Sequence, residues 1–335
     1  RDFTVPVSVL EMDGSASAYW ALGNGIYGGF HIKSSSGDVT YCEANKVCFN
    51  SSAFNNLNTH AVQMFGGEGS DWRLSMTAQN RDIHDVTVEG AVPFTTGMTL
   101  ENKRTGLRLS AGSGNGMMAL TGQDRFTKNT DYDVNVGGVN PILGLAAGGT
   151  YAAGEMPVSE RMKVTFGYTQ KTDEHQYKDD ITGQMVERNP FLSDYRSNAM
   201  TMGLSYDISD NMDVRFSYTA LNEETGLLGA QGTGVTNLDD GTRTDAMSMD
   251  VSAQVTPSFS LAASATVART RSNERTNSLL SVEDEGLTTT SFALVAEQAG
   301  VFGKKDRLRA SIAQPLTVQN GGLVIYDTQV VDRTT

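Results

Sequence analysis

The stretch Met200-Thr201-Met202-Gly203-Leu204-Ser205-Tyr206-Asp207-Ile208 decides the fold. Every even position is large and apolar; every odd position is small or polar. Successive side chains point to opposite sides only in a β-strand, so this segment is a strand with one apolar face and one polar face. After Ser209-Asp210-Asn211 the pattern resumes, with Val214, Phe216, Tyr218 and Ala220 set against Arg215, Ser217 and Thr219. Met247, Met249, Val251, Ala253 and Val255 form the next apolar face, and beyond Thr256-Pro257-Ser258 come Phe259, Leu261, Ala263, Ala265 and Val267. Similar runs occupy Trp72–Ala78, Val86–Val92, Leu107–Ala111, Met162–Tyr168, Phe292–Ala296 and Leu308–Ala313. Helical periodicity is nowhere sustained. The chain reads as all-β, with roughly twelve antiparallel strands.

The connections carry a second signal. Tyr168 to Met200, Asn222–Asp245 and Thr270–Leu287 are long and polar, whereas Ser209–Met212, Thr256–Ser258 and Gly300–Asp306 are short. Long and short connections therefore alternate, as they do when all turns of one kind lie at one rim. Outer-membrane barrels have that asymmetry, whereas a soluble sandwich has no reason to segregate its loops by length. The expected architecture is an antiparallel up-and-down outer-membrane β-barrel over residues 66–335, either closed within them or incomplete at its C-terminal end. Residues 1–65, rich in Gly, Ser and Asn, are expected to be a passenger junction, a lumen segment or an irregular surface segment. Turns are expected at Asn80–Asp85, Thr95–Met98 and Ser110–Gly114. Pro141–Pro157 is expected to be a glycine-softened strand paired with Arg161–Tyr168.

Composition bounds the alternatives. The 335 residues include 39 acidic and 26 basic side chains, a formal net charge of −13, which argues against a nucleic-acid partner. No run of eighteen apolar residues exists, so no transmembrane helix is encoded. Lipid-facing positions are expected at Met200, Met202, Leu204, Tyr206, Val214, Phe216, Tyr218, Met247, Met249, Val251, Phe259 and Leu261. Cys42 and Cys48 lie too close, and with too few further ligands, for a four-ligand zinc site; a local disulfide in an oxidising compartment is the expected reading, with two free thiols as the alternative.

Part of the second half resembles a known family. Gly300-Val301-Phe302-Gly303-Lys304-Lys305-Asp306-Arg307-Leu308, continuing to Gln314-Pro315-Leu316-Thr317-Val318, is similar to a passage in the C-terminal barrel of subtilisin-like serine protease autotransporters of alphaproteobacteria. Weaker echoes are Asn140-Pro141-Ile142-Leu143-Gly144-Leu145 and Glu224-Thr225-Gly226-Leu227-Leu228-Gly229, and Arg1–Val5 resembles the passage joining passenger to barrel. The resemblance implies a Gram-negative outer-membrane translocator that anchors or passes an N-terminal passenger to the cell surface. Its implied partners are outer-membrane lipid, its own passenger and the barrel-insertion machinery. The family's pattern also implies further strands after Thr335.

The protease signatures themselves are missing: the chain holds no Asp-Thr-Gly, His-Gly-Thr or Gly-Thr-Ser-Met-Ala, and His31, His60, His84 and His175 sit in no triad motif. No catalytic residue, cofactor or metal is expected. Gly23–Gly28 matches G-x-G-x-x-G but reads as a turn, lacking a following helix. Asp239, Asp240 and Asp245, the acidic run Glu283–Glu285, and His84 beside Asp82 and Asp85 read as solvated loop charge. The competing expectation is a non-enzymatic cell-surface β-protein that self-associates or forms filaments, since an unclosed sheet has edges that template association.

Overall fold

The computed structural model describes residues 7–10, 15–23, 26–33, 40–42, 48–50, 60–64, 71–80, 94–113, 140–173, 176–178, 185–187, 195–231, 241–273, 280–301 and 307–325. Fifteen strands form one antiparallel sheet. In chain order they are β1 (Val7–Leu10), β2 (Ser15–Gly23), β3 (Ile26–Lys33), β4 (His60–Met64), β5 (Trp72–Asn80), β6 (Phe94–Asn102), β7 (Arg108–Ser113), β8 (Thr150–Ser159), β9 (Met162–Asp173), β10 (Tyr195–Ser209), β11 (Met212–Glu223), β12 (Thr242–Thr256), β13 (Phe259–Ser272), β14 (Leu287–Ala299) and β15 (Arg307–Asn320). From β4 to β15 each strand pairs with its sequence neighbours, an up-and-down meander. Eleven of the strands, β5 to β15, come from residues 66–335.

The N-terminal strands depart from that simple order. β3 pairs with β15, with Arg307 opposite Lys33 and Ala313 opposite Tyr27, and β2 and β1 follow outward. β3 therefore ends at the rim where β15 begins, whereas β4 begins at the opposite rim. β1 and β4 are the outer strands of the sheet, unpaired on their free sides among the described residues.

Loop lengths segregate along the meander. Glu160–Arg161, Asp210–Asn211 and Pro257–Ser258 turn at one rim, while residues 114–149, 174–194, 224–241 and 273–286 connect strands at the other.

Three local expectations are corrected. Thr95–Met98 is not a turn but part of β6: Gly97 and Thr99 pair with Gly112 and Ser110 while Met98 stands outward. Ser110–Ser113 likewise stay in β7, because β6 and β8 pair with them on both sides. Pro141–Pro157 is not one strand. Its first residues form a short helix, α1 (Pro141–Gly144), and only Thr150–Ser159 enters the sheet, as β8, paired with β9 as expected. Pro141 has the fixed φ and missing N–H that suit a first helical turn, and the Asn140 side chain caps it by accepting from the Leu143 N–H at 3.0 Å. The run Val86–Val92, His84, His175, and Asp239 with Asp240 lie outside the described residues.

Pro315 has a physical place too. It lies beyond the last residue of β15 paired with β3, beside a register shift between Thr290 and Phe292 of β14. A missing N–H costs nothing there.

Candidate functional site: the two faces of the sheet

The polarity of this sheet is inverted relative to a water-soluble domain. On β10 the large apolar residues are exposed and their small neighbours buried: Met200 and Met202 are 64% and 62% exposed, while Ala199 and Thr201 are 0% and 3%. The same holds across β9 to β13, where outward Phe166, Phe216, Met247 and Val267 contrast with buried Thr165, Thr219, Ser248 and Thr266. All twelve positions expected to face lipid stand on this outward face. Nine are exposed, and Val214, Val251 and Phe259 are half-buried. Outward residues pair into rows: Phe166, Met202, Tyr218, Met247, Val267; then Val164, Leu204, Phe216, Met249, Ala265.

The band has the height of a membrane. From Met200 to Ile208 the strand rises about 26 Å, and a tilt of about 40° projects this to about 20 Å, near the roughly 25 Å apolar belt of barrel proteins. A continuous exposed apolar surface of this extent is unstable in water and suited to hydrocarbon. The backbone polar groups of the central strands are paired within the sheet, as lipid requires.

The inner face carries the structure that sequence reading missed. α1 and the residues after it lie against the inner side of the sheet, where Ile142, Leu143 and Ala146 are fully buried with Ala199 of β10, Leu221 of β11, Ala246 of β12 and Ala268 of β13. Ala153 of β8, Leu316 of β15, Leu145 and Leu228 pack around this cluster. Inward-facing Ala and Thr in two neighbouring register rows give the helix its seat: Thr169, Ala199, Leu221, Thr244, Thr270, and below them Thr201, Thr219, Ala246, Ala268.

Polar bonds fix the segment in place. The Asn140 amide donates to Thr219 Oγ1 at 2.9 Å. Thr169 Oγ1 donates to the Ala146 carbonyl at 3.1 Å, and Ser197 Oγ to the Leu145 carbonyl at 2.9 Å. Beside them Glu223, 1% exposed, gathers four donors. Its Oε1 accepts from Tyr195 Oη at 2.8 Å and the Gly229 N–H at 2.7 Å; its Oε2 accepts from the Leu228 N–H at 2.8 Å and Thr242 Oγ1 at 3.2 Å. Glu223 thus holds the start of the 224–241 loop, and Tyr195, whose Oη also lies 3.3 Å from the Leu145 carbonyl, links it to the inserted segment. Gly229, with φ +82°, lies so near that a Cβ there would meet Leu145 Cδ2 at 2.8 Å.

Three stretches that carry the family resemblance meet in this cluster, through Ile142 to Leu145, Leu228 and Gly229, and Leu316. Nothing in their separate sequences announces that contact, because they lie far apart in the chain.

Nearer the short-turn rim the inner face becomes charged. Arg215, 7% exposed, reaches across β10 to donate to Thr165 Oγ1 at 2.7 Å. Gly203 leaves the path open, since a Cβ there would come within 2.9 Å of Arg215 Nη2 and 2.6 Å of Thr165 Oγ1. Asp250 lies opposite Arg215 in register, and Lys163 pairs with Glu155 at 3.6 Å. Glu160, Arg161, Asp207, Asp213 and Gln254 line an open depression of about 630 Å³ at that mouth. Among the described residues, no three His, Cys, Asp or Glu side chains gather as metal ligands.

The expected cysteine pair lies in a small separate hairpin, Thr40–Cys42 with Cys48–Asn50, where Cys42 and Cys48 stand directly opposite one another. Gly23–Gly28 spans the antiparallel β2–β3 turn, so no dinucleotide fold follows it.

No family profile matches the chain, and no curated protein matches it. Solved structures with a similar course include OmpT, an outer membrane protein of Vibrio cholerae, at TM-score 0.40 and 9% identity over 90% of this chain and 88% of that one. OmpF of Salmonella typhi gives 0.35 and 11%, covering 90% of each chain, and an anion-selective porin from Comamonas acidovorans gives 0.31 and 11%, covering 93% and 96%. At such scores these likenesses carry no weight about function. Membrane placement follows instead from the inverted polarity of the sheet.

Proposed function

We propose that this chain is an outer-membrane anchor of the translocator kind, holding an N-terminal passenger at the surface of a Gram-negative cell. The observation that carries the reading is the insertion of Asn140–Ala146 against the inner face. A diffusion channel needs an open, hydrated interior, whereas here the inner face near the long-loop rim is covered by apolar residues of the chain itself. Lipid would contact the outward band, and insertion would use the cell's barrel-insertion machinery. The reading gives the chain no chemistry of its own; its work is mechanical.

The test is surface display. An epitope placed before Arg1 of the full chain, expressed in a Gram-negative host, should be removed by protease added to intact cells, with the chain in the outer-membrane fraction. An epitope protected until the cells are lysed would overturn the translocator role.

The free sides of β1 and β4 favour a second reading, a surface β-protein that pairs edge to edge with further copies. Regular assemblies of purified chain in electron micrographs would select that reading.

A further inference from the structure

The outward face changes character sharply beyond Met247 and Val267. The next outward positions toward the long-loop rim are Asp245 and Arg269, opposite each other in register, and then Arg243 and Arg271, also opposite each other. All three arginines are exposed. Two like charges directly across an antiparallel pair repel and destabilise the sheet, yet Arg243 and Arg271 occupy such a pair. Asp245 approaches Arg243 at 3.5 Å and also accepts from Tyr218 Oη. Arg269 donates through Nε and Nη2 to the Glu285 carbonyl, which orients its guanidinium without neutralising it. Among the described residues, no carboxylate lies within ion-pair distance of Arg269 or Arg271. The acidic run Glu283–Glu285 shares this rim, but the Glu283 carboxylate is turned over Gly322.

We propose that Arg243, Arg269 and Arg271 form a binding patch for the phosphate of an anionic membrane lipid, in the leaflet at the long-loop rim. The inference rests on the membrane reading above. A guanidinium fork matches phosphate oxygens in two-point contact. The patch sits where a headgroup sits, in the first two outward register rows beyond the apolar band, with Tyr218 beside it as an interfacial aromatic. A lipid whose acyl chains lie along Met247 and Val267 presents its phosphate between Arg243 and Arg271. That phosphate removes the repulsion the bare sheet carries.

The probe is the full chain reconstituted into phosphatidylcholine vesicles, with or without a few mole per cent of diphosphoryl lipid A. Wild type should retain lipid A through purification, and Arg243→Gln with Arg271→Gln together should weaken that retention about tenfold. Thermal unfolding gives the decisive sign. In phosphatidylcholine alone the double variant should unfold at the same or a higher temperature than wild type, because the repulsion is gone. With lipid A present it should unfold lower. Loss of stability to the same extent in both vesicles would overturn the proposal, as would unchanged lipid A retention. Equal stabilisation of wild type by inorganic phosphate in phosphatidylcholine vesicles would also overturn it, since the site would then belong to a soluble anion. Failure of the chain to enter vesicles at all would refute the membrane reading instead.

Discussion

Replacing Glu223 tests whether a buried carboxylate anchors the start of the 224–241 loop beside the inserted segment. In wild type the carboxylate accepts from two backbone N–H groups, Leu228 and Gly229, and from the hydroxyls of Tyr195 and Thr242. Glu223→Ala leaves these donors facing a cavity. Buried donors left without partners cost about 1–3 kcal/mol each. Thr242 keeps its bond to the Gly226 carbonyl at 2.8 Å and Tyr195 keeps a weaker one to the Leu145 carbonyl at 3.3 Å, so the two amides dominate. The expected loss is about 2–6 kcal/mol. Glu223→Gln keeps one acceptor oxygen and sets an amide NH₂ against at least one backbone donor, with an expected loss of about 1–3 kcal/mol. Urea unfolding of the chain in lipid vesicles, followed by tryptophan fluorescence and gel mobility, measures both. The order wild type, Gln, Ala is required. Equal stability of wild type and the Gln variant would refute the anchor, and so would an Ala variant that loses less than about 1 kcal/mol.

Other consequences follow from single contacts. Leu143→Asp puts a carboxylate among Ala199, Leu221, Ala246 and Ala268, and should expel α1 from the inner face; planar-bilayer recording should show conductance well above wild type, and an unchanged conductance would mean that the segment seals nothing. Gly203→Ala pushes a methyl group into Thr165 and Arg215 and should cost about 1–3 kcal/mol in the same urea assay. Leu204→Lys, mid-band on the outward face, should cost about 2–4 kcal/mol in vesicles, whereas a penalty near zero would place that row in water. Peptide mapping under non-reducing conditions should recover Cys42 joined to Cys48; alkylation of both thiols without reduction would show them free.

How far the sequence can be read depends on how local each signal is. Period-two alternation lies within one strand, so β10 to β13 are legible residue by residue from Met200 to Val267. The exposed side of each is legible too, once the small residues opposite are noticed. Turn placement fails where glycine and threonine stand inside a strand: Thr95–Met98 and Ser110–Ser113 look like turns because their composition is that of turns, and only pairing on both sides keeps them extended. The strand order around β3 is non-local and carries no sequence mark. α1 is hidden for the same reason. Four residues starting at Pro141 have too little length to show a period, and burial against the inner face, not helix propensity, is what holds them.

The inner face explains why its residues are so small. A strand that meets lipid on one side and water on the other has no need for alanine inside; threonine, serine or charged groups would serve. Yet Ala199, Ala246 and Ala268 face inward in neighbouring register rows, and Arg215 and Lys163 appear only nearer the opposite rim. An apolar object must therefore cover those rows, and Ile142, Leu143 and Ala146 are that object. Edge-to-edge assembly makes no demand on this face, since the free strands are β1 and β4. An anchor whose interior is closed by its own chain does. The placement of three alanines thus favours the plugged anchor over the assembling surface protein, and larger side chains at Ala199 and Ala246 should release α1 as Leu143→Asp does, with conductance again the measure.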